Sequence, residues 1–314
     1  MTQSRDGADD LSPDERVRSR RRSGKFIIGG FLVLIVVIET VTFISRNHTA
    51  KQDARPTVYY GAAGSRGPNY VEIVARVIDI SAASSTEQIR LTIVPHGSYE
   101  SPGGGLAKPI NLDADGYVGG TINIGGGAIP PPIQLTLDLN GELSQYPLDR
   151  YQSSLTVDLA PIQVLPGGGY SPPIHTEAVP TRLVELSTQH DWVTSSSLVR
   201  VWNDGSITIN LTAHRGPATI GFAFFELFMM IALASIAVAM TYSAIVANKP
   251  LEFSVFVWLV AMLFALPAIR NTMPGVPTIG TEADFTVFFW CIIAVSGCLI
   301  TAAITYIRDL NRQR

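Results

Sequence analysis

Apolar positions along this chain come in two textures. Four stretches are apolar with little interruption: Phe26 to Ile44, Thr219 to Ala247, Leu251 to Ala268 and Asp284 to Ile307. A hydrocarbon layer of about 30 Å needs roughly 20 helical residues to cross it, with every backbone polar group satisfied inside the segment. Each stretch therefore predicts a transmembrane helix. Between the first and second stretches the texture changes to short alternating runs bounded by Gly, Pro, Asn and Asp, which is the pattern of half-buried strands. The predicted strands are Val71 to Ile80, Gln88 to Val94, Tyr117 to Ile124, Ile133 to Leu139, Tyr151 to Leu159, Thr181 to Leu186, Trp192 to Trp202 and Ser206 to His214. Eight strands of this kind imply a β-sandwich of immunoglobulin-like type. The fold class is membrane α+β: one N-terminal transmembrane helix, an external β-sandwich, then a three-helix transmembrane segment.

The punctuation of the sandwich region is as informative as its strands. Asn140-Gly141, between Leu-Thr-Leu-Asp-Leu and Glu-Leu, is the signature of a two-residue hairpin, because both residues tolerate positive φ. Asn203-Asp204-Gly205 reads the same way. The glycine triplets at 103–105, 125–127 and 167–169, with three prolines at 130–132, predict loops. None is followed by Lys-Ser or Lys-Thr and a helix, so they do not read as phosphate cradles.

Charge sets the orientation. Arg16, Arg18, Arg20, Arg21, Arg22 and Lys25 precede the first span, and positive charge is retained on the cytosolic side. That span has 19 residues, longer than the roughly 7–15 of a cleaved signal, and no small-x-small site follows it, so it is an anchor. Residues 1–25 form a disordered basic cytosolic leader, 26–44 the first transmembrane helix, and 45–217 the external sandwich. Helices follow at 219–247, 251–268 and 284–307, with an external Pro/Gly loop at 269–283 and a cytosolic tail at 308–314. Lys249 falls in the inner turn and Arg308, Arg312 and Arg314 in the tail, in agreement. The predicted location is the plasma membrane, multi-pass, with both termini cytosolic. Both cysteines, Cys291 and Cys298, fall in the last span, about 10 Å apart along a helix, too far for a disulfide. The net charge of −3 offers nothing to nucleic acid.

Two segments carry a resemblance: Tyr146-Pro147-Leu148-Asp149-Arg150-Tyr151, and Leu266-Pro267-Ala268-Ile269-Arg270-Asn271-Thr272-Met273-Pro274-Gly275-Val276-Pro277. With Asp284 and Phe288-Phe289-Trp290, they resemble an actinobacterial, mycobacterial-type, four-helix membrane family known only as a domain of unknown function. The resemblance covers most of the chain and implies architecture rather than activity. Leu148 stands where that family usually has Phe. The hexapeptide is also similar to the Phe-Pro-Phe-Asp turn of pentameric ligand-gated channels, whose external sandwich sits on four helices. In those channels all four helices follow the sandwich, whereas here one precedes it.

Candidate chemistry is sparse. Glu39 and Glu226 lie inside spans at similar distances from the outer ends, and acids there are costly enough to be functional. They read as one proton, cation or partner site, or as groups bonded across helices, with Arg270 the nearest counter-ion. Asp113-x-Asp115-Gly116 begins like a calcium loop but lacks its later ligands, so a turn is expected. The histidines at 48, 96, 175, 190 and 214 have no metal-ligand spacing. The strand from Ser206 leads straight into a span, which puts the Tyr146, Pro147 and Asp149 turn near the membrane. There Asp149 caps its own turn or meets the 269–283 loop, with Arg270 the favoured partner.

The function expected is a non-enzymatic binding or scaffold module of the cell envelope. A transporter or channel subunit using Glu39 and Glu226 is the first alternative, and a membrane enzyme the second. The partners expected are the lipid bilayer, an envelope protein or lipid ligand, and a second copy of the chain. No cofactor, metal or nucleic acid is expected.

Overall fold

The computed structural model describes residues 56–61, 64–175, 177–187, 191–246, 252–275 and 279–313. The leader, the span from Phe26 to Ile44 and Glu39 lie outside them. Among the described residues, the alternating region forms β1 (Thr57–Tyr60), β2 (Tyr70–Ser81), β3 (Thr86–His96), β4 (Ile110–Ala114), β5 (Thr121–Ile124), β6 (Ile133–Asp138), β7 (Asn140–Gly141), β8 (Arg150–Pro161), β9 (Thr181–Ser187), β10 (Trp192–Val201) and β11 (Ile207–Arg215). Three helices follow: α1 (Pro217–Val246), α2 (Phe253–Thr272) and α3 (Phe289–Gln313), the last entered through a π-helical turn, Asp284–Phe288.

The strands make two facing sheets. One runs β1-β9-β2-β3-β6, and the other runs β10-β11-β8-β4-β5 with β7 beside β8. Most pairings are antiparallel, while β2 and β9 are parallel, so the segment between them crosses over rather than turning back. Inward positions alternate over most of each long strand, and Leu155 and Val157 of β8 share one buried core with Ile73 and Ala75 of β2. A second apolar cluster, with Val77, Ile80, Leu139, Tyr151, Trp192 and Ala213, fills the end of the sandwich nearest the helices.

Eight strands predicted by alternation are present with shifted ends. The one expected from Tyr117 begins at Thr121, because Tyr117 and Gly120 close a turn on Ala114 and Tyr117. Short β1 and β4 carry too few alternations to stand out. The Asn140-Gly141 hairpin is not formed. These residues are instead β7, pairing Asn140 with Gln152 and Gly141 with Tyr151 as the chain leaves one sheet for the other. A Cβ on Gly141 would lie 2.4 Å from the carbonyl oxygen of Arg150, so glycine serves close backbone approach here, not a turn.

The three helices are long and apolar enough to cross a membrane. Ala223, Met230, Leu259, Leu266, Val295 and Ala302 pack between them, while Phe222, Phe264, Trp290 and Ile300 face outward. The loop expected from Ile269 is shorter than predicted. The helix tolerates Pro267 and runs on to Thr272, whose one hydroxyl hydrogen is shared between the Ile269 carbonyl and Glu226 Oε1, each at 2.7 Å.

Candidate functional site

The strand that leads into the first of these helices also builds the junction. Ile207, Ile209, Leu211 and Ala213 of β11 all point inward, and the same alternation turns Arg215 inward, leaving it 3% exposed. A buried guanidinium needs a counter-charge, since desolvation is worth several kcal/mol per ion. Asp149, 0% exposed, supplies it. Arg215 Nε donates to both carboxylate oxygens at 3.2 and 3.1 Å, and Nη2 donates to Oδ2 at 3.1 Å. The guanidinium carbon lies 4.3 Å from the Trp192 ring centre and 5.2 Å from that of Tyr146, so cation–π attraction adds to the pair.

The turn before Asp149 reaches the helices. The Tyr146-Pro147 peptide is cis and both side chains are buried, Tyr146 among residues of the helical core. Its hydroxyl donates to the Pro274 carbonyl at 3.1 Å, in the loop after α2. Burial pushes the Tyr146 phenol up to about 12, so it keeps this proton throughout the physiological range. Leu148, at the tip of the turn, is 57% exposed. Gly275 then lies against Arg215: its φ is +58°, and a Cβ there would fall 2.3 Å from Nη1. Tyr151 sits behind the pair, edge-on to Trp192 at 5.6 Å; burial first, and then the Asp149 charge, push its phenol up.

Arg270 is paired elsewhere. Its Nε and Nη2 donate to Asp284 at 2.9 and 2.8 Å, locking the end of α2 to the π-helical turn. Asp284 Oδ2 also accepts from the backbone N–H groups of Gly280 and Thr281, at 2.9 and 3.1 Å, and from the Thr281 hydroxyl at 3.1 Å. The expectation that Asp149 would favour Arg270 is corrected: each arginine has its own aspartate, because β11 delivers Arg215 to Asp149 while the helix end delivers Arg270 to Asp284. The same alternation would have located Arg215 had it been followed one residue past His214.

Glu226 is buried in α1. Its Oε1 accepts from the Thr272 hydroxyl at 2.7 Å, and its Oε2 has no hydrogen-bond partner among the described residues. It is thus bonded across helices, and Glu39 lies outside the described residues. Asp113 lies in β4, Asp115 accepts from the N–H of Thr156 at 2.9 Å and Gly116 has φ of +77°, so Asp115-Gly116 is the turn that follows the strand. No cluster of three or more His, Cys, Asp or Glu side chains able to hold a metal occurs among the described residues.

A second buried polar layer, which sequence reading missed, crosses the sandwich interior. Ser153 Oγ donates to Glu87 at 2.5 Å, Ser196 Oγ donates to Glu185 at 3.1 Å, and the Tyr59 hydroxyl donates to Ser196 at 2.8 Å. Burial pushes the Glu87 carboxyl up, the Ser153 bond pulls it partly back, and Glu185 adds to the rise.

A two-sheet sandwich feeding directly into three helices long and apolar enough to cross a membrane, with an ion pair at the seam, fits the architecture of a membrane protein. Residues 61–211 match a domain of unknown function, DUF4436, and residues 215–309 match another domain of unknown function, DUF8686. The ion pair spans the two matches, with Asp149 in the first and Arg215 opening the second. No protein of curated function matches the chain.

Proposed function

We propose that this chain is a non-enzymatic binding module of the cell envelope, held in the plasma membrane with its immunoglobulin-like sandwich outside and its C-terminus in the cytosol. The observation that carries the reading is the seam: around a buried ion pair and two aromatic rings, the Tyr146 hydrogen bond to Pro274 and the packing of Gly275 on Arg215 tie the base of the sandwich to the loop between α2 and α3. A domain joined that firmly holds its far end at a set height and passes any tilt imposed there to the helices. That far end supports binding. Two Gly- and Pro-rich loops meet beside Pro109 and expose Ile129, Val164 and Leu165, more apolar surface than loops of a passive spacer need.

A transporter or channel subunit is the second reading. It is favoured by Glu226, a buried carboxyl in a span with one oxygen lacking a partner among the described residues.

Orientation is the part most directly tested. In intact cells, Ser98→Cys should react with an impermeant thiol reagent, while Asn311→Cys should react only after permeabilisation. Labelling of Asn311→Cys alone would reverse the orientation and with it the proposal.

A further inference from the structure

We infer that the cavity beside the seam holds the headgroup of a zwitterionic phospholipid bearing a primary ammonium, a phosphoethanolamine diester. The inference rests on the reading above, in which the three helices span a membrane with the sandwich outside. The cavity measures about 370 Å³ and is lined by Asp79, Asp191, Arg215, Thr219, Pro274 and Gly275, among others. That volume is at the small end of ligand sites, about right for a headgroup and too small for a folded partner's segment.

Its chemistry has two halves. Arg215 is already neutralised by Asp149, but its Nη1 faces Gly275 and makes no hydrogen bond among the described residues. Thr219 stands in the first turn of α1 and is 5% exposed. Its hydroxyl likewise has no partner among the described residues. An idle guanidinium edge, an idle hydroxyl and the positive end of a 30-residue helix make an anion half. Asp79, at a bulge of β2, and Asp191, just before β10, are exposed and form no ion pair among the described residues. They make a cation half.

Together the halves select the ligand. A purely anionic headgroup meets two carboxylates, and a free amine leaves Nη1 and the Thr219 hydroxyl unused. A zwitterion satisfies both. Position supplies the lipid: Thr219 is two residues past Pro217, where α1 begins, so the cavity sits where a spanning helix meets the headgroup layer. An ammonium with three N–H donors can bridge two carboxylates, whereas a trimethylammonium has none to give and is bulkier.

The test is lipid retention on the full chain, by native mass spectrometry from micelles doped with phosphatidylethanolamine, phosphatidylcholine or phosphatidylglycerol of identical acyl chains. Phosphatidylethanolamine should be retained roughly tenfold better than either of the others, a difference of one decade in affinity. Asp79→Asn combined with Asp191→Asn should abolish that preference, and Thr219→Val should weaken retention of phosphatidylethanolamine. Neither change touches the Asp149–Arg215 pair. Equal retention of the three lipids, or a preference that survives the double change, overturns the inference. Competition by soluble O-phosphoethanolamine at comparable concentration would also overturn it, by moving the site to a soluble ligand. External labelling of Ser98→Cys in the same cells keeps the two readings apart: labelling without headgroup preference defeats the lipid site alone.

Discussion

Two buried arginine–aspartate pairs serve this molecule and are built on different plans. Asp284 is saturated: besides Arg270 it accepts two backbone N–H groups and a hydroxyl. Asp149 has Arg215 as its one charged partner among the described residues, with the Tyr151 phenol behind it and aromatic rings around the guanidinium. The first aspartate would keep two backbone N–H groups and a hydroxyl if its arginine were removed, whereas the second would keep no charged donor and only the Tyr151 phenol beside it. The difference teaches that burial and an ion pair do not by themselves measure how much depends on an arginine. The number of other donors to the carboxylate decides it.

The largest effect follows from that contrast. Arg215→Ala should destabilise the folded protein by about 3–5 kcal/mol, the range for stranding one member of a buried pair. Arg270→Ala should cost about 1–3 kcal/mol, nearer to losing charged hydrogen bonds. Removing Asp149 together with Arg215 should cost less than the two single changes summed, since no charge is then stranded. Chemical unfolding in detergent measures all four, and equal costs for the two arginines would erase the distinction.

A smaller effect separates packing from charge at the same seam. Gly275→Ala places a methyl on Nη1 at a residue with φ of +58°, where an L side chain alone costs about 1–2 kcal/mol. The loss should shrink when combined with Arg215→Ala, which clears the space. Undiminished loss in the combination would assign the whole cost to backbone strain.

The smallest effect concerns a carboxylate that, among the described residues, has no arginine pair. Glu87 has its folded pKa raised above the ordinary 4.5, so the folded state binds more protons and stability from this group falls as pH rises through the window just above that value. Below that window the group costs nothing, and above it the full penalty stands. Glu87→Gln should therefore raise the melting temperature at about pH 8 and leave it nearly unchanged at about pH 4. An equal shift at both would remove the protonation account.

Much of this arrangement was legible along the chain because it follows from alternation and run length. Residues such as Ile73, Leu155 and Ile209 announce inward faces by period two, and Thr219 to Ala247 announces a span by length alone. The turn from Tyr146 to Asp149 stands out by its own residues. Its contacts do not, because Pro274 lies 128 residues from Tyr146 and Arg215 lies 66 from Asp149, and no local pattern fixes which charges meet after such loops close. The Asn140-Gly141 pair shows the opposite failure. The local signal was strong, and the sheet-to-sheet crossing overrode it because Gly141 was needed against Arg150 and Tyr151.

The seam also bears on where this protein can be cut or recombined. The two matched regions divide between residues 211 and 215, at the end of β11. A soluble fragment stopped there would keep Asp149 while discarding its arginine, and would fail for a reason unrelated to the missing helices. A chimera joining the sandwich of one relative to the helices of another would inherit an aspartate and an arginine of separate origin. The workable joint lies after Pro217, so that Arg215 travels with the sandwich, and the Pro274 and Gly275 loop must then be matched to the incoming Tyr146.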